Sequence, residues 1–243
     1  MVSIFFTIEF FFFKIWYTRF NQLNESEDIK MDILETMKAR HSVRQYKNQA
    51  IESSKREKIN ALIKDVNAES KLSIQVFYDE PKCFDSFMAH YGKFENVKNY
   101  IAIVGNKNDQ EKAGYYGEKI VLKCQKLGLN TCWVAMTHGK SKAQIKRGQK
   151  LLIIISLGYG ETQGVPHKSK SIAELGQADQ KNEWFEKGME AVSLAPTAVN
   201  QQKFYFELKN GIVTAKNLGG FYSRIDLGIV KYHFEAVTGH EVK

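Results

Sequence analysis

Cysteine and proline are scarce in this 243-residue chain, three of each. The cysteines, Cys83, Cys124 and Cys132, are odd in number, widely spaced and without the paired spacing of a zinc site. They exclude a disulfide framework and read as reduced thiols of a cytosolic protein. Long blocks of one charge sign are missing as well. The 35 Lys+Arg and 27 Asp+Glu, a formal +8, are interspersed and no nucleic-acid motif accompanies them. Polyanion binding is thereby a minor option beside a phosphorylated small molecule. An unbroken apolar run of about 20 residues, the length of a spanning helix, is also absent. Residues 1–20 are aromatic and apolar, but Glu9 and Lys14 interrupt them. They lack the basic start and small-residue cleavage site of a signal peptide. Two readings stay open: an appendage and linker over residues 1–30 ahead of a domain starting near Met31, or membrane attachment through residues 1–20.

What is present is ordinary for a folded chain, 43% hydrophobic and 26% charged. From Met31 the pattern is regular. A helix capped by Asp28 or Asp32 runs to about Ala39, and a second spans 53–66 with Ile59, Leu62 and Ile63 inward. Residues 72–78 alternate as a strand ended by Glu80-Pro81, and 100–104 (YIAIV) reads as a central strand buried on both faces. A long helix over 114–127 stops at Gly128, and 130–135 is a short connection or strand. Residues 143–150 read as a helix and 151–157 (LLIIISL) as another buried strand. Residues 164–179 are the linker candidate. A helix over 184–194 follows, then strands over 203–208 and 212–216 joined by the hairpin signal Asn210-Gly211, and a last helix over 226–237. The class is α+β. The helix-loop-strand unit of 56–78 has a counterpart in 183–208, a faint internal repeat.

Two stretches carry chemistry. In KARHSVRQY (38–46), Arg40, Ser42 and Arg44 occupy alternate positions, and in an extended segment alternate side chains face one way. Two guanidiniums and a hydroxyl on one side suit a phosphate or another planar oxygen-rich anion; a solvated basic strand is the plain alternative. Far downstream, LAPTAVNQQKF (194–204) places Pro196, Thr197 and Ala198 ahead of Asn200 and Gln201, which a plain turn would also explain.

Together these stretches resemble the FMN-dependent nitroreductases, in which an arginine-x-serine-x-basic run and a proline-small-small-x-asparagine turn both face the flavin. GYYGEKIVLKCQKLGLNTCW (114–133) resembles that family's central helix and the turn after it, and LLIIISLGYG its strand before Leu-Gly-Tyr. The late position of the proline turn and the ending IDLGIVKYHFE resemble the subgroup in which two nitroreductase-like halves are fused in one chain. The resemblance implies a mixed sheet flanked by helices, built as a pseudo-dimer. Residues 31–165 would form the first half, and a shorter second half, 166–243, would complete one flavin site in a monomer.

The resemblance further implies FMN as cofactor, held by Arg40, His41, Ser42, Arg44, Pro196, Thr197, Ala198 and Asn200. Arg40 and Ser42 would face the phosphate. Arg44 would stand beside N1 and O2 of the ring, where charge grows on reduction, and Asn200 would bond the ring's polar edge. It implies two-electron reduction of a nitroaromatic, quinone or related small-molecule acceptor with NADPH or NADH as reductant, the flavin carrying the chemistry and no side chain acting as catalyst. A non-catalytic flavin sensor or store is the alternative. The partners are small molecules, not nucleic acid, and the setting is the cytoplasm. The family's basic pair near the C-terminus has only Arg224 and Lys231 as candidates. Lys82, Lys93 and Lys98 are undistinguished as ligands, and Glu118 is a pocket residue of no specified role. His233, Cys132 and Trp133 read first as packing residues.

Overall fold

The structure is a computed structural model that describes residues 32–243. The readings of residues 1–30 lie outside that range. Among the described residues no helix is long and apolar enough to cross a membrane. In chain order the elements are α1 (Ile33–Ala39), α2 (Ser53–Ser70), β1 (Ser73–Phe77), α3 (Phe87–Tyr91), β2 (Asn99–Gly105), α4 (Gln110–Lys126), β3 (Asn130–Val134) and β4 (Lys150–Gly158). Then come α5 (Ile172–Leu175), β5 (Gly176–Ala178), α6 (Glu183–Ser193), β6 (Phe204–Lys209), β7 (Ile212–Asn217) and α7 (Ser223–Thr238).

The two apolar runs make the centre. All seven residues of β2 and the last seven of β4 are buried, and the strands pair antiparallel, Ile101 opposite Ile155. β1 and β3 flank them in the order β1-β2-β4-β3, antiparallel throughout. A separate sheet has the order β5-β6-β7, with β5 parallel to β6 and β6 antiparallel to β7. Its hairpin turns at Asn210 (φ 51°) and Gly211 (φ 75°), the two left-handed residues that match the twist of the flanking strands. This mixed α+β architecture is the class the sequence pattern implies.

Helices α4 and α7 pack at backbone contact. A Cβ on Gly114 would lie 1.9 Å from the Ile225 carbonyl oxygen, and one on Gly228 would lie 1.9 Å from that of Glu111. Reciprocal glycines let the helices approach closer than side chains allow. Ile225 and Ile229 of α7 share one cavity with Trp133 of β3 and Ile153 of β4.

Three segments differ from the sequence expectation. Residues 143–149 are not helical. Their backbone is taken up elsewhere: Gln144 N–H donates to Gln75 Oε1 at 2.9 Å, Gln75 Nε2 donates to Gln144 O at 2.9 Å, and Lys142 N–H donates to the Tyr100 hydroxyl at 3.0 Å. These tertiary bonds compete with a local helix and win. The linker candidate holds α5 and β5, because β6 offers a free edge to Gly176–Ala178. Finally, α3 is five residues long, too short to show helical periodicity.

Candidate functional site

The segment after α1 is where the first stretch takes its shape. The Arg40 N–H still donates to Thr36 O at 3.0 Å, so Arg40 belongs to the last turn of α1. Extended backbone begins after it: Val43 N–H donates to Thr131 O at 3.0 Å, which adds the segment to the open edge of β3. Alternation then holds for Ser42 and Arg44, both outward, against Val43, which is buried. Arg40 is out of register with them.

Ser42 and Arg44 open on a cavity of about 530 Å³. Pro196, Thr197 and Ala198 face it from the opposite end of the chain, and the sheet contributes Cys132, Trp133 and Ile153. Ile225, Asp226 and Ile229 of α7 close one side, and Tyr91 and Lys93 reach it from the α3 region. Arg44 pairs with no carboxylate among the described residues and lies over the Phe94 ring, 5.9 Å from its centroid. The cavity therefore combines two cations, Arg44 and Lys93, one acid, Asp226, several hydroxyls, those of Ser42 and Thr197 among them, and apolar walls.

The proline turn is held by its own bonds. Gln202 N–H donates to Thr197 Oγ1 at 3.1 Å, and Gln201 N–H donates to Ala198 O at 3.0 Å. Ala198 N–H donates to Asp226 Oδ1 at 2.9 Å. The amide and carbonyl of Ala198 are thus engaged. What it presents is the Thr197 side chain, the Ala198 methyl and the Pro196 ring. Val199, Asn200 and Gln202 all have left-handed φ, at 47°, 53° and 47°. For β-branched Val199 that conformation is strained.

Three expected residues lie off the cavity lining. Asn200 donates its Nδ2–H to Lys168 O at 2.9 Å. His41 is partly buried beside Gly164. Arg40 is buried, its Nε 3.8 Å from Glu118 Oε1 and without a hydrogen-bond partner. Burial pulls the Arg40 guanidinium below its ordinary range, and the Glu118 charge opposes that. Of the basic candidates, Lys231 is paired with Glu111 at 2.7 Å, while Arg224 lines a neighbouring groove that shares Phe221 and Tyr222 with the cavity. Lys98 donates to Asn48 Oδ1.

Behind Trp133 sits a fully buried charge cluster. Trp133 Nε1–H donates to Glu118 Oε2 at 2.9 Å, and Glu118 Oε1 lies 3.0 Å from His233 Nε2. His233 Nδ1 faces the Ala191 carbonyl oxygen at 2.8 Å. A carbonyl only accepts, so Nδ1 carries hydrogen, and the edge between Nε2 and Glu118 holds one further proton. Burial acts to raise the Glu118 carboxyl, but the His233 hydrogen bond and charge, Arg40 and Trp133 outweigh it and hold it below its ordinary range.

The sequence reading missed Asp226 altogether. An acid in the first turn of a helix reads as a partner of the helix dipole. Here it is buried among Ile225, Leu227 and the turn, and burial pushes its carboxyl up to about 6 against the hydrogen bonds from Gln201 and Ala198. Its only sequence signal is that it interrupts an apolar stripe.

Residues 32–238 match the family model described as "Putative TM nitroreductase". A crystal structure of a "putative nitroreductase" from Thermotoga maritima is 24% identical, covering 85% of this chain and 83% of its own, at a TM-score of 0.63; the fold is shared. A "putative nitroreductase in complex with FMN" from Desulfovibrio desulfuricans is 15% identical over 60% of this chain and 95% of its own, at a TM-score of 0.47. A "Putative NADH dehydrogenase/NAD(P)H nitroreductase" from Bacteroides thetaiotaomicron is 18% identical over 61% of this chain and 98% of its own, also at 0.47. No curated protein matches the chain.

Proposed function

The chain belongs to the nitroreductase family its residues 32–238 match, and on that footing we propose that it is an FMN-dependent oxidoreductase. Its reductant is NADPH or NADH, and its acceptor a nitroaromatic, a quinone or a related small molecule. One observation carries this reading. Ser42 and Arg44 meet Pro196, Thr197 and Ala198, more than 150 residues away in sequence, around a single cavity.

The residues present fit such a group. Arg44 and Lys93 supply cations for a phosphate or for the electron-rich edge of a ring, and Ser42 and Thr197 supply hydroxyls. Trp133, Ile153, Ile225 and Ile229 give the apolar surface on which a flat heterocycle rests and from which water is excluded. Bound there, FMN would carry two electrons from nicotinamide to acceptor. Arg44 would bind and orient it and oppose negative charge at its edge; the strained turn would hold the other face in place. Arg40 supports the site indirectly, by offsetting the buried Glu118 charge.

The same reading keeps two halves, 31–165 and 166–243, as parts of one cavity in a monomer. Ser42, Arg44, Trp133 and Ile153 come from the first half, and Pro196–Ala198 and Ile225–Ile229 from the second.

The test is an absorption spectrum of the purified protein, soaked with FMN, before and after anaerobic NADPH or NADH. Flavin bands that bleach support the enzyme. Bands that persist turn the reading towards a flavin sensor or store, and no retained flavin ends it.

A further inference from the structure

The cavity has one charged group that the proposed chemistry does not use. Asp226 lines it, 4% exposed, from the first turn of α7. Its two oxygens serve two different partners. Oδ1 accepts the Ala198 N–H at 2.9 Å, and Oδ2 accepts Gln201 Nε2–H at 2.7 Å. The same Gln201 Nε2 also donates to the Phe221 carbonyl at 2.7 Å. One carboxylate therefore ties the proline turn, directly and through Gln201, to the loop that carries Phe221 and Tyr222 on the far rim.

We propose that Asp226 is a positioning residue for the cavity, a clasp whose two oxygens hold the 196–201 turn against the 218–222 loop in the shape that receives the flavin. Three observations carry this. A buried carboxylate held only by neutral donors is costly, and no cation pairs with it among the described residues. Left-handed φ at Val199, Asn200 and Gln202 marks a turn that would relax if released, and both bonds to Asp226 come from inside it. Finally, only a side chain with two acceptors can serve both donors at once; an asparagine would set its Nδ2 against Gln201 Nε2, donor against donor. Gln201 cannot turn its amide over freely, because its Nε2–H also donates to the Phe221 carbonyl at 2.7 Å and a reversed amide would set Oε1 against that oxygen.

The flavin part of this proposal rests on the reading above, so the test separates the two. Asp226→Asn and Gln201→Leu are made in the full chain. Backbone deuterium uptake is followed without ligand, FMN affinity by quenching of its fluorescence, and thermal unfolding alongside. Both variants are expected to speed exchange in 196–202 and 218–222 and nowhere else, and to weaken FMN binding about tenfold. The Asp226→Asn protein is expected to unfold no earlier than wild type. A merely structural residue would lose stability and binding together, so this split is diagnostic. Unchanged exchange in the two segments overturns the clasp. Faster exchange with wild-type FMN affinity overturns its positioning role. If wild type itself takes up no FMN, the flavin reading fails, and exchange alone decides the clasp.

Discussion

The indole of Trp133 and the carboxylate of Glu118 are joined at 2.9 Å, so that a group with no solvent contact fixes one wall of a cavity it does not touch. Glu118 in turn balances Arg40 and shares a proton with His233.

Removing Glu118 should cost stability before anything else. Glu118→Ala leaves the Arg40 guanidinium buried without a counter-charge, and breaking such pairs costs about 3–5 kcal/mol. The sign with pH follows from the depressed carboxyl. Its contribution is present above the ordinary 4.5 and is lost as pH falls through the lower folded value. Urea unfolding of wild type and Glu118→Gln between pH 7 and pH 3 checks this: the gap should narrow in acid. Trp133 emission should shift in Glu118→Ala, because the indole loses its acceptor.

Asp226 has the opposite sign. Its folded value of about 6 exceeds the ordinary 3.8, so its ionisation penalises the folded state above pH 6, and the penalty is relieved as pH falls towards 4. The size is up to about 3 kcal/mol at neutral pH. Asp226→Asn should match or exceed wild type in stability at pH 7.5 and lose that advantage at pH 4. An advantage that grows in acid would contradict the assignment.

Arg44 is outward and unpaired, so its loss should spare the fold. Arg44→Gln is expected to leave the urea midpoint within about 0.5 kcal/mol of wild type. FMN affinity should fall about ten- to hundredfold, the range of a lost charge-assisted hydrogen bond. A fluorescence titration reads the second effect and denaturation the first. Equal FMN affinity would remove Arg44 from the site.

Gly114→Ala should be, with Gly228→Ala, among the most damaging single methyls. Its Cβ would meet the Ile225 carbonyl at 1.9 Å, and backbone on a packed helix cannot step aside. A loss of about 1–3 kcal/mol or more is expected in thermal or chemical unfolding. Gly128→Ala provides the contrast: its Cβ would meet nothing within 4 Å, so only the left-handed φ of 73° is strained.

The elements legible in the sequence are those whose signal is local. YIAIV and LLIIISL announce buried strands because each run is apolar but for Ser156. Asn210-Gly211 announces its hairpin because two successive residues must be left-handed. The helix expected over 143–150 fails because Gln75 and Tyr100, from other strands, take its backbone bonds. Site residues divide the same way. Ser42 and Arg44 follow from alternation, while Arg40 departs from it because its N–H still closes the last turn of α1 and the extended backbone begins only after it. Asp226 has meaning only through Ala198 and Gln201, 28 and 25 residues earlier, and Glu118 through Trp133 and through His233, 115 residues on; such contacts leave no periodic trace in sequence.

The reciprocal glycines of α4 and α7 bear on how the chain assembles. Among the described elements, the helix that seats Ile225, Asp226 and Ile229 comes last in chain order, and the groove it docks into lies more than 100 residues earlier. Contacts of that sequence separation carry a large loop-closure entropy and form late. Until they form, the walls contributed by β3 and β4 face water, which leaves the chain exposed to aggregation until α7 has docked.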